Sequence, residues 1–190
     1  MYNNRKSVVK EGINMTKGSF LYYDEMESPI GPLTLLATEK GLCRIDHGSL
    51  RDVESKQTTW ARKYFLHIEY VHDPAQFKQL KKQLDEYFSN KRDHFEVQLD
   101  LYGTPFQQKV WKALADIPFG ETRSYKDIAL AIQAPKAVRA IGGAVNKNPL
   151  SIILPCHRVI GSNGALVGYA GGLERKEHLL DLEHQKAVSS

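Results

Sequence analysis

The sequence predicts an α/β protein in two parts, a strand-rich N-terminal half carrying one helix and a helical C-terminal half. Three observations carry that reading. Short β-rich runs separated by turn residues fill positions 20–46, helical periodicity begins near residue 76 and again at 104, and the second block closes on three short, tightly joined segments in the manner of a helix-turn-helix. With 190 residues, 42% hydrophobic and 25% charged, the chain can bury a core in one domain or two small ones.

Strands are expected over residues 20–27, 32–37 and 42–46. They are punctuated by Ser28-Pro29-Ile30-Gly31 and Glu39-Lys40-Gly41, as in an antiparallel meander. Phe77, Leu80, Leu84, Tyr87 and Phe88 keep helical spacing, so residues 76–89 should pack on one sheet face. A last strand is expected over 95–101. Residues 47–72 show no clean period, and no internal repeat or low-complexity segment is present.

The second half opens on a local start signal. Thr104 can cap, Pro105 suits the first helical position and Gln107 completes a capping box, ahead of the apolar stripe Phe106, Val110, Leu114, Ile117. Pro118-Phe119-Gly120 ends that helix. Ser124 with Asp127 opens a second helix, and Gln133-Ala134-Pro135 a third that runs to about Asn148. The expected division is a loose tail over 1–17, a first domain over 18–100, a second over 101–184 and a tail over 185–190.

Charge and cysteine content narrow the function. Residues 1–100 hold 15 basic and 15 acidic side chains, so the whole excess of +4 lies in the second half, with six basic against two acidic residues over 121–160. A polyanion would meet that segment first. Two cysteines, Cys43 and Cys156, make no disulfide framework and no zinc spacing, so both thiols are expected reduced and the protein cytoplasmic, with no metal. No apolar run suits a signal peptide or a membrane span.

On the third helix, at about 100° per residue, Val138, Ile141 and Val145 share one side. Lys136, Arg139, Ala140, Gly143, Ala144 and Lys147 share the other, which carries no bulky apolar group. Gly142 and Gly143 weaken the helix by roughly 2 kcal/mol relative to alanine, which close approach of another surface would offset. Helix packing inside the protein would also permit small residues, but the three cations on that face argue for nucleic acid. Directly downstream, Ile152-Ile153-Leu154 leads into Pro155-Cys156-His157-Arg158-Val159, which sets a thiol beside an imidazole. A free thiol is only a few per cent thiolate at neutral pH, so such a nucleophile needs a base or a cation nearby.

These segments together resemble one family. Arg139-Ala140-Ile141-Gly142-Gly143-Ala144, Asn148-Pro149, Pro155 to Val159 and Gly168-Tyr169-Ala170-Gly171-Gly172-Leu173 look like the O6-alkylguanine-DNA alkyltransferases, or methylated-DNA–protein-cysteine methyltransferases. Gly103 to Gln107, Val110-Trp111 and Phe119-Gly120-Glu121-Thr122 extend the match upstream. Ser28-Pro29-Ile30-Gly31 and Tyr87-Phe88 carry a weaker likeness through the first half.

The resemblance implies an RNase-H-like N-terminal domain and a C-terminal winged helix-turn-helix that enters the DNA minor groove. Its activity is irreversible transfer of an alkyl group from O6 of guanine to Cys156, with O4 of thymine as a further candidate donor. The partner is double-stranded DNA containing O6-alkylguanine. No cofactor is implied, since the lesion is the alkyl donor, and neither a membrane nor an obligate protein partner is expected of a monomer. Arg139 matches the finger that fills the duplex when the damaged base is rotated out, and Tyr125 the residue that presses on the neighbouring phosphate. Lys136, Ala140, Gly143, Ala144 and Lys147 complete the DNA face.

By the same resemblance His157 is the base, acting through a water, and a carboxylate matching Glu177 orients it. Glu177 falls on a helical stripe with Leu173 and Leu180, where a carboxylate would want a partner. Asn148 ties the helix-turn-helix to the active-site loop. Pro155, Val159, Tyr169, Ala170 and Gly171 form the base pocket, and Ala170 departs from members that carry Ser there. Cys43 reads as a small buried residue. Three rivals share part of the pattern: a cysteine protease, a winged-helix regulator, and the alkyltransferase-like proteins that bind the lesion but lack the cysteine.

Overall fold

The β-rich runs pair through backbone hydrogen bonds into a four-stranded sheet, seen in a computed structural model that describes residues 19–189. The expected tail over 1–17 lies outside the described residues. Strands β1 (Ser19–Met26), β2 (Leu33–Thr38) and β3 (Gly41–His47) form the expected antiparallel meander, in spatial order β3-β2-β1-β4. The segment without a readable period supplies α1 (Leu50–Tyr64) and β4 (Ile68–His72), which pairs parallel with β1.

Strand β2 is buried along its whole length because both sheet faces are covered. Leu33, Leu35 and Ala37 join Phe77, Leu80, Leu84 and Tyr87 of α2 (Pro74–Phe88) in one core, which continues into the C-terminal half. Leu36 points the other way, as alternation along a strand requires, and meets Leu21, Ala61, Tyr64 and Phe65. Cys43 lies at the β2–β3 register shift, fully buried in this second cluster, with its thiol donating to Leu36 O at 3.3 Å. It is the small core residue expected.

The strand expected over 95–101 does not form. The outer edge of β3 is shared: Leu42 makes a single parallel bridge with Leu99, and three residues on Ile45 makes another with Leu150. Neither segment has room for a ladder. A Cβ on Gly41 would sit 2.5 Å from Gln98 O, which is how closely the first crosses.

Helix α3 (Pro105–Ala115) starts at the predicted capping box, with Gln107 N donating to Thr104 Oγ1 at 3.2 Å and Thr104 N to Gln107 Oε1 at 2.9 Å. A short β5 (Arg123–Ser124) leads into α4 (Tyr125–Ala131), then α5 (Val138–Asn146). Strand β6 (Val159–Ile160) pairs parallel with β5, and α6 (Leu173–Ser189) ends the described chain. Residues 185–189 therefore continue a helix and are no separate tail. No helix among the described residues is long and apolar enough to cross a membrane.

Helix α5 begins three residues later than expected. Gln133 takes a positive φ of 57°, and Ala137 N closes a turn on Ala134 O, so Pro135 lies in the turn. Its buried stripe is Ile141, Ala144 and Val145, rotated from the one predicted. Val138, at the first helical position, is 37% exposed, whereas Ala144 is buried and its carbonyl accepts from Trp111 Nε1 at 2.8 Å.

Candidate active site

Chain geometry before Cys156 is set by one amide. Asn148 Oδ1 accepts from Leu150 N at 3.0 Å and its Nδ2 donates to Leu154 O at 2.7 Å, so a single side chain brackets the turn between them. Inside it the β-branched Ile152 holds φ at +76°, a conformation such residues rarely adopt, worth about 1–3 kcal/mol of strain. Pro155 follows, and residues Cys156–Arg158 form one 3-10 turn that directs His157 and Arg158 inward.

Both inward side chains end on one carboxylate, and it belongs to Glu183. His157 Nε2 lies 2.7 Å from Glu183 Oε1; Arg158 donates to it from Nε (2.8 Å) and Nη2 (2.9 Å); Tyr87 Oη donates at 2.7 Å and Gly120 N at 3.1 Å. Burial raises the pKa of such a group, but His157 and Arg158 more than offset it and hold Glu183 at about 2. Burial lowers the value of His157, and Glu183 opposes the shift. With Nε2 engaged, His157 Nδ1 is left buried and without a hydrogen-bond partner among the described residues.

Glu177 does not take this role. Helix α6 turns Lys176, Leu179 and Glu183 inward at i, i+3 and i+7, which leaves Glu177 exposed and Leu173 49% exposed. The reading from apolar periodicity failed because two of the three inward residues are charged. Lys176 is fully buried and donates from Nζ to Val159 O (2.5 Å) and Val167 O (2.8 Å), which pins the strand after the cysteine to the loop before Tyr169. Sequence reasoning missed Glu183, Lys176, Arg158 and Tyr87. One signal was available: Arg158, adjacent to His157 in a buried segment, requires a counter-charge, and Glu183 is a helical i+7 partner of Lys176.

Cys156 is buried at 4% exposure, yet it lines a cavity of about 300 Å³ with Ala170, Asn148, Ser151 and His47. Burial pushes its thiol up to about 11, against the Asn148 amide and Lys176, which favour the thiolate. The resting sulfur is protonated. Of the predicted pocket residues only Ala170 lines this cavity with the cysteine; Pro155, Val159, Tyr169 and Gly171 are buried around it. Cys156 and Tyr125 belong to one electrostatic neighbourhood, in which Tyr125, half-buried, donates from Oη to Val167 O at 3.2 Å.

The small-residue face of α5 is open where expected. Lys136, Arg139, Ala140, Gly143 and Lys147 are all exposed, and a Cβ on Gly143 would meet nothing within 4 Å. Ala144 is the exception, turned into the core. Among the described residues no cluster of three or more His, Cys, Asp or Glu side chains could hold a metal ion.

The comparisons with known proteins cover nearly all of this architecture. Residues 21–101 match the model of the 6-O-methylguanine DNA methyltransferase ribonuclease-like domain, and residues 105–185 match that of the DNA-binding domain. This chain belongs to the 6-O-methylguanine DNA methyltransferase family. A methylated-DNA–protein-cysteine methyltransferase of Methanosarcina barkeri is 47% identical over 86% of this chain and 97% of its own length. That of Mycobacterium tuberculosis is 46% identical over 88% and 94%. The crystal structure of the Mycobacterium tuberculosis O6-methylguanine methyltransferase superposes with a TM-score of 0.76 at 46% identity, covering 87% of this chain and 94% of that one. A Mycobacterium tuberculosis structure in complex with DNA gives 0.74 at 44% identity over the same shares. As in the methyltransferase family models, the ribonuclease-like part precedes the DNA-binding part.

Proposed function

We propose that this protein reverses alkylation damage by moving the alkyl carbon from O6 of guanine in duplex DNA onto Cys156. The single observation that carries the reading is the cavity-lining thiol followed directly by a histidine whose far nitrogen is fixed on a buried carboxylate. Cys156 Sγ attacks the alkyl carbon, the carbon–O6 bond breaks as the carbon–sulfur bond forms, and guanine leaves with its electron pair. The thiol proton passes toward His157 Nδ1 through a bridging water, and Glu183 stabilises the imidazolium that forms. A proton returned to the departing base completes the balance.

The product is a thioether that no group in the site can hydrolyse, so each molecule acts once. Exposed Arg139, Lys136 and Lys147 with the bare Ala140 and Gly143 surface support minor-groove entry, where reading is nearly blind to sequence. Arg139 would fill the gap left by the flipped base and Tyr125 would press on the flanking phosphate. Tyr169, Ala170 and Gly171 would close the base pocket. Two free thiols suit the reducing cytosol.

Incubating the protein with one equivalent of O6-methylguanine duplex and weighing it intact tests the reading. A gain of about 14 Da, one CH₂ unit, located on Cys156 is the expected result. Lesion binding without a mass change would instead support an alkyltransferase-like or regulatory protein.

A further inference from the structure

Strand β3 reaches the active-site segments twice. Ile45 N donates to Pro149 O at 2.8 Å, which docks the sheet edge just before the turn leading to Cys156. Two residues on, and so on the same strand face, His47 sets its ring against Tyr169. The centroids are 5.6 Å apart, and His47 Nε2 lies 3.3 Å from Tyr169 Oη.

The backbone presenting His47 is itself held. Gly48 N donates to Pro32 O at 2.8 Å, and Thr34 Oγ1 donates to Gly48 O at 2.8 Å. Gly171 passes so close that a Cβ there would lie 2.7 Å from the His47 ring, which only glycine permits. Arg175 adds a second tie, donating from Nε to Ile30 O and from Nη1 to Gly171 O, both at 2.7 Å. Burial, then the nearby Arg175 guanidinium, pushes His47 down to about 4, so the ring is neutral at physiological pH and meets the phenol as a neutral partner. The same ring lines the cavity that holds Cys156 and Ala170.

We propose that His47 is a positioning residue for Tyr169, through which the N-terminal sheet fixes one wall of the base pocket. The inference rests on the reading above in which the Tyr169-Ala170-Gly171 loop closes on the flipped base. It gives the ribonuclease-like half a part in substrate fit although it contributes no reacting group. Losing the contact would loosen the loop, so the effect falls on substrate capture and leaves the chemical step alone.

A double-mutant cycle tests this. Single-turnover transfer is followed against substrate concentration for wild type, His47→Leu, His47→Gln, Tyr169→Phe and His47→Leu/Tyr169→Phe, using O6-methylguanine duplex and free O6-benzylguanine. His47→Leu should raise the half-saturating concentration of both substrates by about 3- to 10-fold, the range of one hydrogen bond, with the limiting rate unchanged. Gln places an amide where Nε2 stands and should restore capture. In the Tyr169→Phe background His47→Leu should add nothing further.

Equal, additive losses in the two backgrounds, or no rescue by Gln, would overturn the inference. Should His47→Leu fail to fold, His47→Asn replaces it in the cycle, since its shorter amide does not reach the Tyr169 hydroxyl. Wild type that takes no alkyl group from either substrate would overturn the proposed function instead, and is told apart by that control.

Discussion

His157 and Glu183 stand 26 residues apart in sequence and 2.7 Å apart in space, with neither side chain open to solvent. A carboxylate so placed fixes the imidazole's orientation and makes its protonation easier at the moment of attack. Glu183→Gln should therefore slow transfer by about 10² or more while reducing thermal stability, because Arg158 loses its buried counter-charge. Glu177→Gln, on the exposed face of α6, should change neither. Single-turnover rates and melting curves of the two variants, side by side, decide which glutamate serves the histidine.

Why one glutamate could be mistaken for the other has a physical basis. Apolar periodicity found α2 and α3 because their inward residues are Phe77, Leu80, Leu84 and Val110, Trp111, Leu114. It could not find an inward face made of Lys176, Leu179 and Glu183, where backbone carbonyls around Lys176 and the His157–Arg158 pair around Glu183 take the place of apolar burial. Helix α1 escaped for a similar reason. Its buried residues are Val53, Gln57, Ala61 and Tyr64, and its last turn is held by an aromatic cluster in which Trp60, Tyr64 and Phe65 meet Tyr102 from a distant part of the chain. A local signal was present in the Ser49 and Asp52 capping box. Cys156, His157, Asn148 and Arg139 were legible by another route, since they sit in short segments whose order carries the family resemblance.

Acid should act on rate and stability in the same direction. The folded value of His157 lies below 6.5, so the neutral base persists through neutrality and transfer should be flat above pH 6.5, falling only on the acid side. Cys156, at about 11, stays a thiol over that range. Were a resting thiolate the nucleophile, the rate would instead climb about tenfold per pH unit from 6.5 to 8.5. Single-turnover rates over that interval separate the two routes.

For stability the signs agree. Glu183 has a depressed folded value, so its contribution is present above the ordinary carboxylate value of 4.5 and lost as pH falls toward about 2. His157, also depressed, favours the folded state above 6.5 and withdraws that support as pH falls and the unfolded imidazole charges. The melting temperature should drop steadily on acidification from 6.5. Glu183→Gln should flatten its lower part.

Gly143 separates binding from folding. Its position is exposed with open space around a Cβ, so Gly143→Leu should leave the fold intact and raise helix stability by up to about 1 kcal/mol. The added side chain would project from the bare face toward the minor groove. Affinity for duplex DNA of any sequence should fall by about tenfold or more while the melting temperature holds or rises. Unchanged affinity in a fluorescence anisotropy titration would remove α5 from the DNA interface.

Arg139 tests base flipping apart from chemistry. Its side chain is exposed at the start of α5, among residues too small to do mechanical work, and it is distinct from the buried set around Cys156. Unstacking a base takes a few kcal/mol, which only the duplex substrate incurs. Arg139→Ala should then slow repair of O6-methylguanine duplex by about 10-fold or more, while reaction with free O6-benzylguanine stays near wild type. Tyr125→Ala should share the bias, though less cleanly, because its hydroxyl also holds Val167 O and its ring lies against Gly142. Asn148→Ala, which releases the turn before Cys156, should slow both substrates alike. Equal defects on duplex and free base in Arg139→Ala would move that arginine from the duplex into the pocket.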